Sequence, residues 1–358
     1  MRQLTILTLA VTLIFTACQS KTKDNTTENN APQRFFSDES FWNQPVAANA
    51  ESDPRSDKWI AMLEKEPTGN NIGINTTKWT IPVFEVDSTT PVYDVKLHYL
   101  SPEEKENWNS KREHFGHGPG FSPVPIPDNA KPDPQNDAHI AFIDRERGLA
   151  WDSWGMRKRP DGTWESNTGM KYDLYGSGVF NTGALDVVNG ESVHFHGPGR
   201  AAGVPVIAGL IMYNEVNTGE IRHKLAMACR YSAFQEFVYP AAWTDGYTQG
   251  GIPEGAVVQL DPKLDLSRFD LTNGEKVVAK ALQHYGAVIV DVAQGSPLYA
   301  ENLNYDSTRT WNGILREWDG GINSIPVKYY RVLKVENAVH KGDARSRSNG
   351  YWDNDKSE

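Results

Sequence analysis

The stretch AHIAFIDRERGLAWDSWGMRKRPDGTWES, residues 138–166, decides the reading of the fold. It opens on an apolar run, breaks at Arg147-Gly148, resumes through Trp151, breaks again at Pro160-Asp161-Gly162 and ends on Trp164. Short aromatic and aliphatic runs separated by glycine-bearing turns read as strand, turn, strand, turn, strand. Working outward, TIPVFEV (80–86) and PVYDVKLHYL (91–100) alternate in the same way, and further strands are expected at 184–188, 192–196, 204–212, 221–229, 256–260 and 287–292. Two helices interrupt them. Residues 56–65 carry Trp59, Ile60, Met62 and Leu63 at amphipathic spacing, and Thr272-Asn-Gly-Glu275 offers a capping box before the stripe Val277, Val278, Ala281, Leu282 and Tyr285. With no solenoid-length repeat and no βαβ alternation, the expected fold is mainly β: a single antiparallel β-sandwich or jelly-roll-like domain with one or two short helices.

Composition narrows the function. The 358 residues carry 36 Lys and Arg against 46 Asp and Glu, a net charge of -10, and no basic block. That balance lacks the electrostatic footprint of a nucleic-acid partner. Hydrophobic residues at 39% suffice for a large core. Residues 1–17 join one Arg to an apolar run from Leu4 to Phe15, as in an export signal. The following Phe-Thr-Ala-Cys18 resembles a bacterial lipobox, so lipidation is expected at Cys18. The expected plan is a leader (1–17), a polar tether (18–33), a β-rich domain (34–340) and a polar tail (341–358), lipid-anchored to the cell envelope. Once Cys18 is lipidated, Cys229 has no disulfide partner, and its apolar surroundings suggest a buried, inert thiol.

Nucleotide-binding glycine loops, GxSxG and HExxH are all absent. Histidine, arginine and aromatic clusters remain. In VHFHGPGR, His194 and His196 share one face of a strand beside Arg200. Such a pair suits metal binding, substrate contact or structural hydrogen bonding, although the Glu that a cupin-type metal site needs nearby is missing. In the segment 215–227, read as a hairpin turn feeding a strand, His223 shares a face with Ile221, Leu225 and Met227 and is either a core histidine or a proton-transfer group. Arg222 and Arg230 fall on the other face. The long loop with HFGHGPG brings His114 and His117, placed to close over a ligand. Trp151, Trp154, Trp164, Trp311 and Trp318 are core residues or sugar-stacking platforms.

The blocks FFSDESFWNQP (35–45), VPIPDNAKPDPQNDAHIAFIDRERG (124–148), AGVPVIAGLIMYNEVNTGEIRHKLAMA (202–228), YPAAWTDG (239–246), PEGAVVQLDPKLDL (253–266) and KALQHYGAVIVD (280–291) extend over most of the chain. Their order resembles that of a family of secreted bacterial lipoproteins that includes ulvan-oligosaccharide dehydratases of marine polysaccharide-degrading bacteria. The resemblance implies elimination of water from the non-reducing terminal uronic acid, giving a 4,5-unsaturated uronyl end. This chemistry needs a partner for the C6 carboxylate, a base for the C5 proton and an acid for the 4-hydroxyl. The side chains present suggest His223 or His194 as base, His196 as carboxylate partner, and Tyr213 or Tyr285 as acid. Arg200, Arg222, Arg230, His114, His117 and Trp151 would contact substrate. No metal or other cofactor is expected. The partners are an anionic oligosaccharide and, through the lipid, a membrane. A uronate-specific polysaccharide lyase and a non-catalytic glycan-binding lipoprotein are the rival readings. All three place a local demand on an acidic chain: Arg and His must gather in one pocket.

Overall fold

In the computed structural model, residues 34–67, 71–98, 115–118, 120–180, 186–188 and 191–340 are described. In the strands Phe115–Gly116, Asp186–Val188 and Glu191–His196, the backbone alone is described. The described residues lie in one compact unit. Strand outweighs helix, 27% to 14%, so sheets set the architecture.

Ten strands build two main sheets: β1 (Ile72–Asn75), β2 (Val83–Glu85), β3 (Ile140–Asp144), β4 (Leu149–Ser153), β5 (Met170–Asp173), β6 (Leu225–Ala228), β7 (Val257–Leu260), β8 (Ala287–Asp291), β9 (Ser296–Tyr299) and β10 (Tyr330–Val332). The larger sheet has the order β1-β9-β6-β8-β7-β10, the smaller β5-β4-β3-β2. Pairing is mixed in both: β6–β8, β1–β9 and β2–β3 are parallel, whereas β3–β4, β4–β5 and β7–β8 are antiparallel. The sandwich thus includes parallel neighbours, joined through long connections, that hairpin logic alone does not anticipate.

Side-chain alternation assigns the layers. Leu225, Met227, Ala287 and Ile289 enter one core with α1 (Ser56–Leu63) and the helix Asn273–His284, while Ala226, Ala228, Val288 and Val290 face a second core. That second core lies between the sheets, since Ala141, Ile143 and Ala150 of β3 and β4 reach it from the other side. Ile140, Phe142 and Trp151 point away into a third cluster. The continuous run Ala287–Val290 is apolar because both of its faces are covered.

The hairpin over 140–153 forms as read, with Gly148 at φ 66° in its turn. Two other readings are corrected. Residues 204–212 do not form a strand. Pro205 and the positive-φ Gly203 and Gly209 fold them into consecutive buried turns, and a Cβ on Gly209 would stand 2.4 Å from the Ala226 nitrogen. Tyr213–Thr218 is not a turn but a short helix, α2, closed by Gly219 at φ 94°; the strand after it begins only at Leu225. The helix Asn273–His284, α3, has the expected capping box between Thr272 and Glu275.

The aromatic segment at 35–45 clamps the start of the domain. The Trp42 indole donates to Gly178 O at 2.9 Å, and Asn43 Nδ2 donates to the carbonyls of Phe35 and Ser37. Lys224 Nζ donates to the carbonyls of Phe41 and Gln44. Burial pushes that amine down to about 8.

Candidate functional site

The strand Glu191–His196 leads through Gly197-Pro198-Gly199 to Arg200, whose side chain is wholly buried. Its Nη1 donates to Asp291 Oδ2 at 2.8 Å, and its guanidinium carbon lies 3.7 Å from the centroid of the Tyr299 ring. Asp291 ends β8 and Tyr299 ends β9, the two strands that flank β6. The Tyr299 hydroxyl donates to Asp291 Oδ2 at 3.1 Å, and Ala201 N donates to Oδ1. Among the described residues, Nε and Nη2 of Arg200 have no partner. These two nitrogens form the side-on edge of the guanidinium fork, the edge that takes a carboxylate through two parallel hydrogen bonds.

Asp152 of β4 fixes the chain on both sides of the arginine. Its Oδ1 accepts from Gly199 N at 3.0 Å, and its Oδ2 accepts from Val206 N at 2.8 Å and from the Tyr172 hydroxyl at 2.9 Å. Burial pushes its carboxyl up to about 7, against these donors and the nearby Arg200 charge. Burial, followed by the Asp291 charge, raises Tyr299 well above the usual tyrosine range, so it stays a proton donor. His139, just ahead of β3 and also buried, places Nε2 3.0 Å from Gly199 O. Since a carbonyl only accepts, Nε2 carries the proton, and in the neutral ring Nδ1 is the basic nitrogen. The side chains of Arg200, Asp291 and Tyr299 thus meet beside the core between the sheets, with Asp291 14% exposed, while Asp152 and His139 hold the backbone of the adjacent Gly199.

Of the residues singled out in the sequence, only Arg200 has its side chain in this group. The strand carrying His194 and His196 pairs in parallel with Phe115–Gly116, with Phe195 opposite Phe115 and His196 opposite Gly116. The imidazoles of His194 and His196 lie outside the described side chains. His114, Cys18, the leader, the tether and the tail 341–358 lie outside the described residues. His117 faces Ser166, with Nε2 2.8 Å from its Oγ.

The other candidates are dispersed. His223 is buried in a structural pair, Nδ1 at 2.7 Å from Lys224 O and Nε2 at 3.1 Å from Glu215 Oε2 on α2, so both its nitrogens are engaged. Arg230 holds Glu66 through Nε at 3.0 Å. The Arg222 backbone carbonyl accepts from Arg34, on the N-terminal segment. Tyr213 opens α2, its N–H donating to Glu301 Oε2 and its ring packed edge-on to Trp311. Tyr285 caps the end of α3. Trp151 cannot stack on a sugar: it is 3% exposed, in the third core cluster. Cys229 is fully buried, its thiol pushed up to about 12 by desolvation.

Asp291, Tyr299 and Asp152 escaped sequence reasoning because they come from three separate strands. The one local signal is an acidic residue ending the apolar run 287–290. Among the described residues no three His, Cys, Asp or Glu side chains form a metal-binding group, and no helix is long and apolar enough to cross a membrane. No protein-family model, curated protein or solved structure matches the chain.

Proposed function

We propose that the protein is a dehydratase that removes water from the non-reducing terminal uronic acid of an anionic oligosaccharide, with ulvan oligosaccharides the class its sequence blocks resemble. The observation that carries the reading is the Nε/Nη2 edge of a fully buried Arg200, unpaired among the described residues. A uronate carboxylate seated on that edge shares its charge with the guanidinium, which stabilises the enolate-like charge that develops when the C5 proton leaves. His139 Nδ1 takes that proton. The C5–H electron pair becomes the C4=C5 double bond, the C4–O bond breaks, and Tyr299 gives its hydroxyl proton to the departing oxygen, releasing water. Solvent exchange then returns the proton from His139 to Tyr299.

Burial of the guanidinium supports a dehydratase over a lyase. A terminal uronate fits an enclosed site, whereas an internal one needs an open groove for the chain on both sides. Lipidation at Cys18 would hold the enzyme at the cell envelope, where imported or surface-bound oligosaccharides arrive.

Arg200→Lys tests the assignment, because it keeps the charge and removes the two-nitrogen edge. With saturated uronate-terminated oligosaccharides, kcat/KM for appearance of the conjugated uronyl absorbance should fall on the order of tenfold to a hundredfold, the worth of hydrogen bonds to a charged group. Unchanged kinetics in a folded variant would remove Arg200 from the site.

A further inference from the structure

A second feature lies apart from Arg200: a cleft of about 620 Å³, lined in part by Trp311, Trp318, Asn312, Glu317 and Asp319. Its size falls within the range of ligand clefts, about 300–1,000 Å³. One wall is an indole held flat. A Cβ built on Gly73 of β1 would lie 2.4–2.6 Å from Cε3, Cδ2 and Cζ3 of Trp318, so the six-membered ring rests face-on against a backbone with no side chain. Gly295 makes room for the far edge of the same ring. One face of Trp318 is therefore seated on the sheet, the residue is half-buried, and it lines the cleft.

The polar groups of the cleft favour a neutral ligand. Both of its arginines are already neutralised: Arg309 by Glu301 and Asp306, Arg316 by Glu275 and Asp270. Glu317 Oε1 accepts from the backbone N–H and hydroxyl of both Thr76 and Thr77. Its Oε2 has no donor among the described residues, and Asp319 and Asn312 are exposed. Among the described residues an anion meets no free cation here and two carboxylates. A ring with hydroxyl donors on its rim and an apolar C–H face meets acceptors and an aromatic plane.

We infer that this cleft is a binding site for neutral sugar rings of an oligosaccharide, with Trp318 as its stacking platform and Glu317 and Asp319 as acceptors for ring hydroxyls. The site is separate from the elimination chemistry and does not depend on it. Calorimetric titration of the full mature protein with a panel of short neutral oligosaccharides built from hexoses, pentoses and deoxyhexoses tests it. At least one should bind the wild-type protein. Trp318→Ala should weaken that binding about tenfold, Trp318→Phe should retain part of it, and Asp319→Asn should weaken it with an unchanged melting temperature. Arg200→Lys should bind like the wild type, so loss of elimination and loss of this site are distinguishable. No binding across the panel, affinity unchanged in both Trp318→Ala and Asp319→Asn, or selective capture of lysine-rich peptides in place of sugars would overturn the inference.

Discussion

Arg200 carries a full charge with no exposure, and among the described residues only its Nη1 meets a carboxylate. Each buried donor left unmade costs about 1–3 kcal/mol, so the open edge is an energetic burden that a ligand carboxylate would relieve. His223 shows the opposite economy: both ring nitrogens have partners. Burial opposes its charge, but the carboxylate and hydrogen bond of Glu215 prevail and raise its pKa above 6.5. A base with a raised folded pKa adds stability that is fully present below pH 6.5 and is lost as pH rises through the folded value. His223→Gln should therefore lower the melting temperature most in mildly acidic solution, with the gap from wild type narrowing toward alkaline pH. The expected loss at low pH is roughly 1.5–3 kcal/mol, the worth of a charged hydrogen bond. A gap independent of pH would show that the pair carries no charge. The histidine is visible in the sequence, but its partner on α2 is not, because the segment from Glu215 reads as a turn.

Elements with short-range signals were legible. The 138–166 hairpins announce themselves through Gly148 and Gly162, and α3 through Thr272 and Glu275. The buried turns at 200–212 were not, since an apolar run looks the same whether it pairs in a ladder or coils under a sheet. There Asp152 satisfies Val206 N, a partner from a distant strand. The capping box of α3 is the element with a measurable contribution: Thr272→Ala should cost about 0.5–2 kcal/mol in denaturant unfolding. Glu275→Ala should cost more, because its carboxylate also holds Arg316 at 2.7 Å. Equal losses would mean that the ion pair adds nothing to the cap.

At the scale of the molecule, composition pointed to a mainly β chain, and alternation along β3, β4, β6 and β8 sorts their side chains into three cores. Composition did not reveal which strands are neighbours. The candidate site depends on that, because Asp291 and Tyr299 reach Arg200, and Asp152 its neighbour Gly199, only once the strands are in place. The described Arg and His candidates do not gather in one pocket: Arg200 pairs with Asp291, Arg230 with Glu66 and His223 with Glu215, and His139 reaches only the Gly199 carbonyl next to Arg200. Mass spectrometry of the products formed from saturated, uronate-terminated ulvan oligosaccharides is the most direct test of this account. The account predicts intact oligomers lighter by one water with the wild-type protein, and far less of that product with Arg200→Lys. Unchanged masses, or shortened chains in place of dehydrated ones, would contradict it.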